Sequence, residues 1–362
     1  MIKRLFLLFL VATCLFSLVM IYQTQNAGRY APSLGRVAAW MPTSWDSARA
    51  RASWDAHRAY IDELSPVWYQ LDPSGDGSIL PYAGARDATL IAEAHGQSTL
   101  VIPLINNASN AGFDAGSVSA VIHDPARRAA HIRVLVEETL TYDYDGIDID
   151  YEGLNGHDDR EAFSLFIEEL SAALHAQGKL LSIAVHAKTG EPGGWSGPQA
   201  QDWTRIGAAV DRFRVMTYDY HWSGGEPGPI APVWWMEDVI AFAVSVVPPN
   251  RVYVGIHFYG RAWGESASTS LTWEGAQDLI AAHDVSPQWK STETWRLAVA
   301  EPWFAYTDVA GAHHTVWYAN GASVAARLKL VQKYGLGGVA IWRLGGEDPA
   351  NWSSISAGLS AN

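Results

Sequence analysis

The sequence predicts a single α/β domain, a closed barrel of eight parallel strands alternating with helices. Three observations predict it. From Arg36 onward, short apolar β-rich runs alternate with longer stretches whose apolar residues recur at helical spacing, the pattern of a parallel sheet covered by helices. The run from Gly146 to Glu152 is apolar on one face and acidic on the other, as expected of a strand whose second face lines something polar. The chain has 362 residues, 48% of them hydrophobic, so it can build a core of barrel size, and no internal repeat divides it.

At the N-terminus, Leu5 to Tyr22 is almost continuously apolar and follows Lys3 and Arg4, the layout of an export segment with its positive side in the cytoplasm. The run is longer than an ordinary leader core, and Gln25 stands where a small residue would precede a cut after Ala27. An uncleaved anchor is therefore expected over a cleaved leader, with the domain held outside the membrane. Cys14 is followed by more apolar residues, which argues against lipoprotein processing. Residues 1–33 thus read as signal or anchor plus a polar tether, and residues 34–362 as the barrel.

Eight candidate strands follow in order: Arg36 to Trp40, Glu63 to Tyr69, Thr99 to Ile105, Gly146 to Glu152, Leu180 to Val185, Arg212 to Tyr218, Arg251 to Phe258 and Gly338 to Leu344. Between them, Pro125 to Thr141, Arg160 to Gln177 and Met236 to Ser245 read as amphipathic helices. The seventh interval is too long for one helix. Approximately residues 263–317 form an insertion carrying Trp273, Trp289, Trp295, Trp303, Tyr306 and Trp317, and a long aromatic-bearing insertion at a barrel mouth is expected to wall a groove. Asp348, Pro349 and Asn351 open a final turn that closes the barrel.

Composition narrows the partners. A net charge of −13 argues against nucleic acid and anionic membrane surfaces, so contact with a membrane is expected only through the N-terminal segment. The one cysteine, Cys14, lies in the apolar run, so the folded part holds no intrachain disulfide. His186, His221 and His257 sit near strand ends, but without paired ligand spacing they predict neither a metal nor another cofactor. A monomer is expected. The chain holds 17 Trp, of which about half suit core contacts and the rest suit stacking on sugar rings.

The fourth strand carries the chemistry. In an extended strand Asp148, Asp150 and Glu152 point one way and Ile147, Ile149 and Tyr151 the other. Same-face carboxylates about 6 to 7 Å apart couple, and repulsion with partial burial raises at least one pKa, leaving a protonated group available as a general acid. Glu152 stands last, at the rim where the active sites of parallel barrels lie.

Asp145-Gly-Ile-Asp148-Ile-Asp150-Tyr-Glu152 resembles the signature of glycoside hydrolase family 18, the chitinase-type (β/α)8 TIM barrels, whose fourth strand reads Asp-x-x-Asp-x-Asp-x-Glu. Met216-Thr217-Tyr218-Asp219 matches the same family's Met-x-Tyr-Asp pattern. The resemblance implies that Tyr218 and Asp219 help hold the sugar's 2-acetamido group, and that Trp342 forms the floor under the cleaved sugar. It also marks Asp145 and Met216 as members of the site, and it implies an α+β insertion between strands seven and eight. Segments such as Phe258-Tyr259-Gly260-Arg261-Ala262-Trp263 and Gly346-Glu347-Asp348-Pro349 look like the branch of bacterial spore-germination and cortex-fragment-lytic hydrolases. That branch acts on N-acetylglucosamine linkages in peptidoglycan, often through wall-binding repeats that are not visible here.

Because the acids lie along one strand, the substrate's own acetamido oxygen serves as nucleophile in the mechanism that the resemblance implies. Glu152 would be acid and base, Asp150 would orient the acetamide, and Asp148 would tune Asp150. The expectation is an exported hydrolase of β-linked N-acetylglucosamine polymers, of peptidoglycan or chitin type. The alternative is a catalytically silent, lectin-like protein on the same barrel, against which the terminal acid Glu152 speaks. Asn106 and Asn107, after the third strand, could reach the site or serve only as turn residues.

Overall fold

The computed structural model describes residues 34–265, 267–289 and 299–359. The apolar run 5–22, Cys14, the tether and Trp295 lie outside the described residues.

Eight parallel strands close on themselves, as the alternating pattern predicts. They are Arg36–Pro42, Glu63–Leu71, a third in two pieces (Leu100–Val101 and Leu104–Asn106), Gly146–Asp150, Leu180–His186, Arg212–Met216, Val252–His257 and Gly338–Trp342. The ring closes where Arg36 to Ala39 pair in register with Gly338 to Ile341 on one side, and Ala38 to Pro42 with Glu63 to Val67 on the other. The third strand is interrupted at Pro103, which has no N–H for the ladder; its carbonyl accepts Asp148 N at 2.9 Å instead. The fourth strand ends at Asp150, so Tyr151 and Glu152 lie just past it rather than within it.

Alternation along each strand sorts side chains between two layers. Outward residues such as Ile147, Ile149, Val215 and Ile341 join the main core beneath the helices. The helix Pro125–Thr141 shows how that layer is set. Asp124 accepts Ala126 N and Arg127 N as N-cap, Pro125 opens the first turn, and Ile132 and Leu135 face inward. The inward layer is smaller and mixed: Ala38, Trp40, Val67, Leu104, Ala184, Tyr253 and Ala340, with the charged Glu63, Arg212, Arg214 and Asp148 fully buried below the mouth. Gly255 lets the Tyr218 ring come close to the strand, since a Cβ at that position would lie 2.9 Å from it.

The insertion follows strand seven. Gly260–Trp263, Ser268–Leu271, Trp303–Thr307 and His313–Tyr318 form an antiparallel sheet, with the helix Trp273–His283 against it. Glu301 ties this subdomain to the barrel by accepting Ile230 N and Ala231 N, each at 2.7 Å, and by pairing with Arg327 of the helix Gly321–Tyr334. Among the described residues, Trp273, Trp303, Tyr306 and Trp317 do not wall the groove as expected. Trp303 stacks on Trp317, and Trp273, Phe304 and Tyr306 pack into the subdomain's own core, because a small sheet has few other large apolar groups to bury. What the insertion presents to the groove is Arg261 and the segment Ser270 to Thr272.

Candidate active site

The eight strands end at one rim, six of them on Asn106, Asp150, His186, Met216, His257 and Trp342, and the register sets Asp150 beside Asn106, Met216 beside His186 and Trp342 beside His257. The rim opens into a cleft of about 730 Å³ lined by Trp40, Asp150, Glu152, Met216, Tyr218 and Trp342 among others.

Asp148 lies deepest. Its Oδ2 accepts Trp40 Nε1–H at 2.7 Å and Arg214 at 2.9 Å. Arg214 also donates to Ser65 Oγ at 2.6 Å and to Glu63 at 3.2 Å, and Glu63 in turn binds Arg212 at 2.6 Å. Burial raises the pKa of Asp148, while Arg214 and the Trp40 N–H oppose the rise. Asp150, the next inward residue, is pushed up to about 7, first by burial and second by the charge of Asp148. Glu152 is raised well above the ordinary carboxyl value by burial, and further by Asp150 and Asp219. The three acids thus form a ladder along which every carboxyl is raised, the outermost, Glu152, well above its ordinary value.

Glu152 has no strand to fix it. Asn107 does this instead: its Oδ1 accepts Glu152 N and its Nδ2 donates to Glu152 O, both at 2.9 Å. The Glu152 side chain remains 19% exposed, open to the cleft, with His186 Nδ1 at 3.6 Å from its Oε2. Burial lowers the pKa of His186 to about 4, so the imidazole is neutral beside the acid.

Past strand six the chain turns sharply, with Asp219 in the left-handed region at φ 58°. Its Oδ1 accepts Tyr259 Oη–H at 2.6 Å and Arg261 at 3.2 Å, which binds this loop to the insertion. Tyr218 is half-buried; burial and then the charges of Asp150 and Glu152 raise its pKa well above that of a free phenol, so its hydroxyl stays protonated. Trp342 packs edge-on against Trp40, with centroids 5.8 Å apart. Trp342 and Asp219 also line a second pocket of about 590 Å³, so the groove continues across the barrel mouth.

Seven of the eight expected site residues come together here. Asp145 does not. It sits before the first residue of strand four, at the opposite end, where its Oδ2 accepts Val101 N at 2.8 Å and bonds His95 Nε2 at 3.0 Å. Its position is a correction to the sequence-based assignment: it splices strand four to strand three rather than reaching the cleft. Sequence reasoning missed Trp40, Arg214 and Glu63, and left Asn107 open. The available signal was the inward alternation Arg212, Arg214, Met216 on an otherwise apolar strand, since buried arginines demand carboxylate partners. Among the described residues, no group of three or more His, Cys, Asp or Glu is placed to hold a metal ion.

The description Glycosyl hydrolases family 18 matches residues 98–347. The uncharacterized glycosylase YvbX of Bacillus subtilis is 30% identical over 307 residues, covering 83% of this chain and 86% of its own. The cortical fragment-lytic enzyme of the same organism is 27% identical, over 82% of this chain and 68% of its own. The crystal structure of a chitinase from Chromobacterium violaceum superposes with a TM-score of 0.81 at 28% identity, covering 91% of this chain and all of that one. With a family match over most of the barrel and an acidic ladder at its mouth, the chain belongs to glycosyl hydrolase family 18 and is a glycosyl hydrolase.

Proposed function

We propose that the protein is an exported hydrolase of β-linked N-acetylglucosamine polymers, acting with retention through the substrate's own acetamido group. The observation that carries the reading is the ladder Asp148, Asp150, Glu152, whose outer two acids line one cleft with Trp342 and whose outermost carboxyl is raised well above its ordinary pKa. Glu152 gives its proton to the leaving glycosidic oxygen while the acetamido oxygen attacks C1, closing an oxazolinium ring. Asp150, as carboxylate, aligns the acetamide and balances the positive charge that grows on its nitrogen. Tyr218 offers a protonated hydroxyl to the same group. Water then opens the ring, and Glu152 recovers the proton. Chitin-type and peptidoglycan-type substrates both fit this chemistry, and relatives with chitinase and cortical fragment-lytic names support both. Export is supported by the run Leu5 to Tyr22 behind Lys3 and Arg4.

The test compares wild type with Glu152→Gln on chitooligosaccharides and on purified peptidoglycan, read by product mass spectra and by NMR of the first anomer formed. Turnover should fall about 10²- to 10⁴-fold with ligand binding retained, and wild type should release the β-anomer first. A variant that keeps more than about a tenth of the activity would remove Glu152 from the acid role. An initial α-anomer would overturn the substrate-assisted route.

A further inference from the structure

The groove does not end at Trp342. Beyond it, the second pocket is lined by three arginines, Arg49, Arg261 and Arg343, against two aspartates, Asp46 and Asp219. The pocket thus carries an excess of positive charge in a chain whose net charge is −13. These cations are only partly spent on the protein. Arg261 is 8% exposed and gives one N–H to Asp219 at 3.2 Å, while its Nε is buried without a partner among the described residues. Arg343 binds Asp46 at 2.7 Å and the Leu344 carbonyl at 3.1 Å, each through one terminal nitrogen. Arg49 is 55% exposed and lies no nearer than 3.9 Å to Asp46. Guanidinium groups that converge with donors to spare suit a carboxylate, which accepts two parallel N–H bonds.

The pocket's position says which part of the substrate it meets. Glu152 lines the first pocket and not the second, while Trp342 and Asp219 line both. The leaving oxygen must sit beside Glu152, so the second pocket receives the unit on the other side of the cleaved sugar, away from the leaving group. A neutral homopolymer would bring only hydroxyl and acetamide groups to these three cations. An acidic polymer would be repelled at long range by the chain's net charge, and such repulsion is screened beyond about 8 to 10 Å at ordinary ionic strength. Recognition of an anion therefore depends on local groups of the kind assembled here.

We infer that this pocket recognises the carboxylate of a lactyl-ether N-acetylhexosamine adjoining the cleaved N-acetylglucosamine, so the preferred substrate is the acidic alternating glycan and not the neutral homopolymer. The inference rests on the assignment of Glu152 as the acid. Arg49 and Arg343 supply the donors, and Arg261 supplies buried positive charge behind them.

The test is calorimetric titration of the Glu152→Gln protein with three tetrasaccharides: the alternating lactyl-bearing glycan, the same glycan with its carboxyl groups reduced to alcohols, and chitotetraose. The carboxylate form should bind about ten-fold or more tightly than its reduced form, a preference that weakens with salt. Adding Arg49→Gln and Arg343→Gln together should erase that preference. Because Arg343 also holds Asp46, Arg49→Gln alone, at a half-exposed position, serves as the second variant and should reduce the preference at least three-fold. Equal affinity for the acid and the reduced glycan, or a preference that survives both substitutions, would overturn the inference. If Glu152→Gln still cleaves the glycan in the cell, the acid assignment falls instead, and the preference is read as the ratio of kcat/KM values for the two glycans.

Discussion

Replacing Asp148 by Asn removes one charge from the barrel interior and keeps its shape. An amide oxygen still accepts the Trp40 and Arg214 donors that now reach Asp148 Oδ2, and Arg214 keeps Ser65 and Glu63. Weakening these charge-assisted bonds should cost about 1 to 3 kcal/mol, so the fold should survive. The functional effect falls on Asp150, whose pKa rises from 3.8 to about 7 with burial as the larger cause and Asp148 as the smaller. The share due to Asp148 is therefore less than half of that rise, below about 1.6 pH units. Coulomb's law for carboxylates about 6 to 7 Å apart at an effective dielectric near 20 gives about 2.5 kcal/mol, just under two pH units. Together these limits place the fall in the Asp150 midpoint at about one to one and a half pH units. With a lower midpoint, Asp150 remains a carboxylate in more acid solution, so the acidic limb of kcat/KM should move down by that amount. The assay is the pH profile of kcat/KM from pH 4 to 9 on a fluorogenic chitobioside at constant ionic strength; the limb belongs to the coupled cluster, so the shift rather than its absolute position is compared. An acidic limb that stays in place or moves upward would refute the coupling argument.

Asp150→Asn should trade activity for stability in a pH-dependent way. A carboxyl raised from 3.8 to about 7 contributes stability below its unfolded pKa and loses it as pH rises through 7, a loss of up to about 4 kcal/mol. The variant's gain in Tm should therefore be larger at pH 8 than at pH 4.5, and an equal gain at both would contradict the assignment. Trp342→Ala should lower kcat/KM about 30- to 1,000-fold, the worth of about 2 to 4 kcal/mol for a large aromatic in a desolvated site, and a change below three-fold would show that Trp342 does not carry the sugar. Arg214→Met strips the buried cationic partner from Asp148 and one of two cationic partners from Glu63, and should destabilise the fold by about 3 to 5 kcal/mol in urea denaturation. A cost under about 1 kcal/mol would mean the buried charges are not energetically linked.

What the sequence determined by itself is what depends on local period. Alternation of strand and helix runs yields the barrel, and alternation within Gly146 to Glu152 places Asp148 and Asp150 inward and the isoleucines outward. The length of the seventh interval announces the insertion. The closed barrel decided the rest, because the partners involved are distant in the chain: Trp40 meets Asp148 across 108 positions and Arg214 meets it across 66. Asp145 shares the acidic motif, yet one position before the strand begins it turns to the Val101 backbone at the far end of the barrel. Trp273 and Tyr306 of the insertion read alike as groove wall or subdomain core, and packing against Phe304, Val316 and Tyr318 chose the core. Glu152 lies beyond the strand, where alternation no longer governs, so its place depends on two hydrogen bonds from Asn107, 45 residues earlier. The raised pKa of Glu152 is likewise a tertiary property, because burial and neighbouring charge exist only once the mouth has closed around it.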